Sequence, residues 1–282
     1  MAAMQELLKE INQLKPIPAI INQIIEIVDK PDSSMKDIAR IIKYDPAVTA
    51  NLLKVCNSAY FGLKDPAESV EDAVSLLGID QIVELVLMKS GASVLSCKLD
   101  GYGFAEGAMW KYSVSSALIA KQIANRLSMK NKNTIFTASL LKDIGKTVLD
   151  KFVSNSFEKI NALVLNQNMS FLDAEKKVLG VDHSELGAMI AKIWKFSPKM
   201  VTIIRNHHCT DPSMYKDQDI AVVYFADCVC MMLGIGVGAD EQAYKYHNEA
   251  MEELGISANE MPEIIIEFSE NLQAVEELLK LV

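Results

Sequence analysis

The sequence predicts an all-α protein. Apolar residues recur at a spacing of three and four along nearly the whole chain of 282 residues, which is typical of amphipathic helices. No run alternates apolar and polar residues between turn signals, as a half-buried strand would. Glycine and proline are scarce, at 13 and 8 residues, which suits long helices joined by short turns.

The composition restricts the location and the partners. The net charge of −9, from 28 basic and 37 acidic residues, disfavours a nucleic acid or an anionic membrane as partner. Five scattered cysteines fit small buried side chains in a reducing cytoplasm, and the N-terminus lacks a signal-peptide pattern. Residues 221–239 carry one charge, Asp227, but end in three glycines without flanking anchors, so they predict a buried helix rather than a membrane span.

The N-terminal part begins with a predicted amphipathic helix over residues 4–14, which the prolines of residues 14–18 interrupt. A second apolar repeat follows over residues 20–28. Ser34 is then expected to cap a helix, with Asp37 at its third position.

The next helix is predicted to have Asp45 as its N-cap and Pro46 as its first residue. Together with the helix before it, it superficially resembles a helix-turn-helix DNA reader. Residues 1–100 contain more acidic than basic residues, which is unfavourable for gripping phosphates. A packed helical hairpin is therefore the favoured interpretation, and a DNA-binding regulator using residues 34–56 is the weakest alternative.

Four short segments, taken in order, carry a resemblance to a known family. They are Leu14-Lys-Pro-Ile-Pro18, Asp45-Pro-Ala-Val-Thr49, Asn57-Ser-Ala-Tyr-Phe-Gly62 and Ala73-Val-Ser-Leu-Leu-Gly78. This ordered string resembles the HDOD family, the HD-related output domains of bacterial signalling. The resemblance implies a regulatory module that acts through signalling proteins or a small nucleotide-like ligand.

Two packed lobes are predicted, because no long linker or charge run divides the chain. The helix over residues 80–97 is followed by a glycine-rich stretch, so the boundary is placed between residues 1–100 and an HD-like lobe of residues 101–282. Within the second lobe, Asp182 is expected to cap a helix with Glu185 reciprocating.

The tail from Pro262 to Val282 is predicted to be a strongly amphipathic helix. Such a helix is able to cap the core or to form a homodimer, and the sequence leaves both roles open.

The segment from Ser139 to Lys146 is similar to the His-Asp signature of HD-domain metal phosphohydrolases. Here Lys142 stands at the histidine position, and an ammonium group has no lone pair for a metal ion. Gly145 is expected to supply a left-handed backbone that ends the helix before it.

The resemblance to HD domains also implies an ordered set of metal ligands. The first histidine position falls at Tyr112 and the paired histidine at Lys142. Five residues keep the expected types in the expected order, and these are the predicted metal ligands: Asp143, His183, His207, His208 and Asp227.

Asp143 and the three histidines would form a carboxylate-plus-imidazole set for one divalent ion of iron, manganese or zinc. The alternative, given equal weight, is an empty pocket in which Lys142 pairs with Asp143 or Asp227.

Catalysis is disfavoured by these departures from the HD pattern. Hydrolysis of a phosphodiester by a binuclear centre needs two metal ions, and a mononuclear HD enzyme needs the His-Asp pair intact. The chain also reads Cys209-Thr-Asp-Pro212 where the cyclic-di-GMP phosphodiesterases have a Gly-Tyr-Pro loop. The sequence therefore predicts a non-catalytic signalling module, with a metal-dependent phosphohydrolase acting on a nucleotide or phosphodiester as the alternative.

Overall fold

The structure, a computed structural model, confirms the all-α prediction. Its regular structure over the described residues is helical, with one isolated bridge between Leu99 and Phe104. The structure describes residues 34–270 apart from residues 44, 59, 237, 240–246 and 258, and also residues 7, 9–11, 23, 24, 27, 276 and 279.

Several predictions about the chain ends fall outside this part of the chain. Most of the predicted helix over residues 4–14, the interruption at residues 14–18 and most of the apolar repeat over residues 20–28 lie outside the described residues. The same holds for most of the tail after Glu270.

Four helices precede the glycine-rich stretch. They are α1 (Met35–Ile42), α2 (Pro46–Cys56), α3 (Val70–Leu77) and α4 (Ile79–Leu95). Both predicted caps are confirmed: Ser34 and Asp37 form a capping box, and the Asp45 carboxylate accepts a hydrogen bond from the backbone N–H of Val48 at 3.0 Å. Helices α1 and α2 both pack against α3. Helix α4 packs against α2 and α3 and also against helices that follow it in the chain.

Nine α-helices follow within the described residues. They are α5 (Ala108–Arg126), α6 (Lys132–Leu141), α7 (Ile144–Gln167), α8 (Phe171–Leu179), α9 (His183–Ile193), α10 (Pro198–Asn206), α11 (Gln218–Met232), α12 (Asn248–Glu253) and α13 (Glu260–Glu270), with a short 3₁₀ helix at Pro212–Lys216 between α10 and α11. Helix α5 packs against α6 and α11, and α9 packs against α7 and α10. These contacts bring the α6–α7 junction, the start of α9, the end of α10 and the middle of α11 to one place.

The prediction for Gly145 is wrong, and the reason is close packing. Gly145 is the second residue of α7 and does not have a positive φ angle. A Cβ atom at this position would lie 2.0 Å from the carbonyl oxygen of His183 and 2.8 Å from the backbone nitrogen of Gly187. Glycine is therefore required because it lets the starts of α7 and α9 touch through their backbones.

The apolar run that carries Asp227 is a buried helix, as predicted. Every residue of α11 from Asp219 to Cys230 is buried. Among the described residues, no helix has the length and apolar character that crossing a membrane requires.

Candidate functional site

The centre of the site is the two-residue junction between α6 and α7. Helix α6 ends at Leu141 and α7 begins at Ile144, which leaves Lys142 and Asp143 between them. Both side chains are buried, at 0% and 2% exposure. Asp143 stands immediately before the N-terminus of α7, where the helix dipole favours a negative charge.

Lys142 is held between two buried carboxylates, which is the pairing that one of the two interpretations of the sequence expected. Its Nζ atom lies 2.5 Å from Oδ2 of Asp143 and 2.8 Å from Oδ1 of Asp227. The same ammonium group lies 4.2 Å from the centre of the Tyr112 ring, and the Tyr112 hydroxyl donates a hydrogen bond to Oδ1 of Asp227. The two residues at the histidine positions of the HD pattern therefore share one carboxylate.

The charges in this cluster stabilise one another against burial. Burial opposes the charge of Lys142, but the Asp143 and Asp227 carboxylates raise its pKa above the ordinary value. Burial also opposes the charge of Asp143, yet the ammonium groups of Lys142 and Lys146 hold its pKa well below its usual range. The Nζ atom of Lys146 lies 2.8 Å from Oδ1 of Asp143, so each oxygen of Asp143 contacts an ammonium group.

The three predicted histidines come together on the other side of Asp143. The Nε2 atoms of His183 and His207 each lie 3.7 Å from Oδ1 of Asp143. His208 Nε2 lies 2.8 Å from His183 Nε2. One potential ligand atom from each of these four residues lies within 4.8 Å of every other.

Hydrogen bonds on the far side of the rings fix how His183 and His207 face Asp143. The Nδ1 atom of His183 lies 2.8 Å from Oε2 of Glu175, and Nδ1 of His207 lies 2.8 Å from the carbonyl oxygen of Ile204. Both partners act as acceptors, so Nδ1 of each ring is the donor, and whenever such a ring is neutral its Nε2 carries the lone pair. Within the described residues, Nε2 of His207 is buried without a hydrogen-bond partner.

The pKa values of His183 and His208, whose Nε2 atoms lie 2.8 Å apart, move in opposite directions. Burial opposes the charge of His183, but the Glu175 carboxylate raises its pKa above the ordinary value. Burial, reinforced by His207 and His183, lowers the pKa of His208 well below its usual range. This shift favours the neutral imidazole of His208, which is the form that binds a metal ion.

This donor set fits one divalent ion better than it fits two. One carboxylate and three imidazoles are the groups that bind iron, manganese or zinc, and the orphaned Nε2 of His207 is aimed at the common centre. The competing cation is Lys146, which contacts the same oxygen of Asp143 that faces the two histidines. Asp227, the fifth predicted ligand, lies outside this group of four and contacts Lys142 and Tyr112 instead.

A small polar cleft of about 180 Å³ leads toward the histidines. His208 is the one member of the histidine group among the described residues that line it. Its rim is formed by Lys176, Arg205 and Glu185, and Glu185 lies 2.9 Å and 3.1 Å from these two cations. Glu185 therefore does not reciprocate the cap of Asp182, although the Asp182 carboxylate accepts from the backbone N–H of Glu185 as predicted.

The sequence did not indicate the roles of Glu175 and Tyr102 beside the site. Glu175 is fully buried on α8, accepts from the backbone N–H and the ring of His183, and also accepts from the Tyr102 hydroxyl. No spacing motif marks either residue. The one available signal for Glu175 was an acidic residue seven positions before a helix-capping Asp-His pair, which is too common to single out.

Comparison with known sequences gives a match to one domain family. The profile of the HDOD domain matches residues 14–210. An uncharacterized protein of Treponema pallidum (strain Nichols) is 23% identical over 227 residues, which cover 79% of this chain. The chain spans 44% of the length of that relative.

Solved structures with the same fold cover almost the whole chain. An HDOD domain protein of unknown function from Geobacter sulfurreducens is 26% identical, with a TM-score of 0.74 and coverage of 98% of this chain and 97% of its own. A proposed phosphohydrolase from Shewanella amazonensis is 22% identical, with a TM-score of 0.70 and the same two coverages. A proposed signal transduction protein from Marinobacter aquaeolei is 19% identical, with a TM-score of 0.76, and is matched over 99% of this chain and 65% of its own.

Proposed function

The chain belongs to the HDOD family, and we propose that within it this protein is a non-catalytic signalling or regulatory module. In this proposal it acts through partner proteins or a bound small ligand. The observation that carries the proposal is the buried ammonium group of Lys142, held between Asp143 and Asp227 at 2.5 Å and 2.8 Å.

The physical argument is one of charge. A divalent ion placed at the histidine position of the HD pattern would meet a fixed positive charge that is shielded from water, and like charges repel strongly at low dielectric. Tyr112, at the other substituted position, already donates its hydroxyl to Asp227. A two-ion clamp on the attacking and leaving oxygens of a phosphodiester therefore lacks the ligands for its first ion.

A second candidate function rests on the other half of the cluster. Asp143, His183, His207 and His208 would hold one divalent ion, and the orphaned Nε2 of His207 favours such an ion. When bound, the ion would polarise a phosphoryl oxygen of a nucleotide or phosphodiester as a Lewis acid. Glu175 would keep His183 in the orientation that presents its Nε2 lone pair.

Elemental analysis and hydrolysis assays of the purified chain separate the two candidates. We expect at most about one iron, manganese or zinc ion per chain, because one ligand set survives. We also expect no turnover of bis(p-nitrophenyl) phosphate, a nucleoside monophosphate or a cyclic dinucleotide in the presence of these ions.

The matched control for these assays is Asp143→Asn, which removes the one carboxylate from the group of four potential metal ligands. Turnover by the natural chain that this variant loses would overturn the non-catalytic proposal. Two tightly bound ions per chain would contradict the interpretation of Lys142 and Tyr112. The cytoplasmic location stays a prediction from the sequence.

A further inference from the structure

A groove of about 880 Å³ lies between α4, α5 and α13, and none of its described residues belongs to the site around Asp143. One wall is a continuous face of α5, at positions i, i+3, i+4, i+7 and i+8. These residues are Leu118, Lys121, Gln122, Asn125 and Arg126. The opposite wall is a face of α13 with the same helical spacing, formed by Glu263, Ile266, Glu267 and Glu270.

The floor of the groove contains buried polar groups. Glu84 of α4 is 3% exposed and pairs with Lys121, while the Gln81 amide donates to its other oxygen at 3.1 Å. Within the described part of the chain, the buried Nε2 atom of Gln122 has no hydrogen-bond partner. Tyr60 also lines the groove, and it belongs to the Asn57–Gly62 segment that the site around Asp143 does not use.

The α13 wall combines negative charge with an exposed apolar residue. Ile266 is 57% exposed and stands among three glutamates on the same face. Arg126 reaches across to Glu263 at 2.6 Å, which secures α13 to α5 at that point. The described lining contains four glutamates against one lysine and one arginine, so the groove keeps an excess of negative charge.

We propose that this groove is the docking site for a basic, amphipathic helical segment of a partner protein. An apolar residue of that segment would pack against Ile266 and Tyr60, and its Lys or Arg side chains would face Glu267 and Glu270. A helix laid into a groove between two helical walls is a common mode of peptide recognition. This inference rests on the proposed function as a module that acts through partners.

Charge also argues for a different protein rather than a second copy of this chain. Each copy carries a net charge of −9, so two copies repel one another, whereas a basic segment is attracted.

The test uses the full chain and a defined probe, a fluorescein-labelled peptide of 18 residues with Leu at helical spacing and Lys elsewhere. Binding is measured by fluorescence anisotropy at physiological ionic strength. Two groove variants are compared, Ile266→Ser and the double variant Glu267→Lys with Glu270→Lys. We expect the Kd to rise at least about tenfold in each, since a few central residues carry most of the binding energy of such sites.

The matched control is Glu252→Lys with Glu253→Lys, which makes the same charge change on the exposed face of α12. We expect less than a twofold change in Kd. Equal weakening in groove and control variants would show attraction to the overall charge and would overturn the proposal. Hydrogen exchange with and without the peptide should show new protection in α5 and α13, and protection confined to other helices would also overturn it.

Two further outcomes keep the proposals distinguishable. Sedimentation that shows a dimer lost in Ile266→Ser would identify a second copy as the occupant and would overturn the choice of a basic partner. Hydrolytic activity with intact peptide binding in the groove would refute the proposed function alone. If no hydrolytic activity is found and both groove variants bind the peptide as the natural chain does, the docking proposal alone is refuted.

Discussion

Replacing Lys142 by methionine removes a cation from between two buried carboxylates while keeping a side chain of similar length. The ammonium group has 0% exposure and lies 2.5 Å from Asp143 and 2.8 Å from Asp227. Methionine fills much of the same volume, so the loss is mainly electrostatic. Removing one partner of a buried ion pair typically costs about 3–5 kcal/mol.

The expected change in melting temperature follows from the size of the chain. The unfolding entropy near 60 °C is about 2.1 cal/mol/K per residue, which gives about 0.6 kcal/mol/K for a chain of 282 residues. A loss of about 3–5 kcal/mol therefore lowers the Tm by roughly 5–8 °C. Lys142→Met is the perturbation, and thermal unfolding followed by circular dichroism is the assay.

The control is Lys159→Met, which makes the same chemical change at an exposed position of α7. Surface substitutions usually alter the free energy of unfolding by less than about 0.5 kcal/mol, so this variant should melt close to the natural chain. If Lys142→Met also melts within about 1 °C of the control, the ammonium group does not stabilise the buried carboxylates. The account of the HD-pattern substitution would then be wrong.

Three further predictions concern the same cluster. Gly145→Ala should lower the Tm by more than Lys142→Met does, because its Cβ would meet the carbonyl of His183 at 2.0 Å; a small change in Tm would contradict the tight contact. Glu175→Gln should shift the tautomer of His183, read from imidazole ¹⁵N chemical shifts, and should weaken uptake of a divalent ion about 10–100-fold; unchanged shifts would refute its positioning role. Asp143 has a depressed pKa, so its contribution to stability is present above the unfolded pKa of about 3.9 and is lost as the pH falls through the folded pKa. The free energy of unfolding, measured with urea at pH values below the unfolded pKa of Asp143, should depend less on pH in Lys142→Met than in the natural chain. An unchanged dependence on pH would refute the coupling between Lys142 and Asp143.

The features that sequence alone could predict are local ones. The helical class, the caps at Ser34 and Asp45 and the buried run around Asp227 all follow from side chains a few positions apart, whose spacing is printed in the sequence. The grouping of Asp143 with the three histidines was available because the order of residue types resembles the HD pattern. One of the two interpretations of the sequence already paired Lys142 with Asp143 or Asp227, because burying a carboxylate without a cation is costly.

Only the tertiary structure decided which partners each site residue has. Glu175 reaches His183 because α8 folds back beside α9, and Lys146 reaches Asp143 because the start of α7 turns its side chain inward. Gly145 is required by the carbonyl of a residue 38 positions later, at a contact between α7 and α9. Spacing along a chain reports the periodicity of one helix, but it does not report which faces of different helices meet. Asp227 contacts Lys142 and not the histidines because α5, α6 and α11 pack against one another.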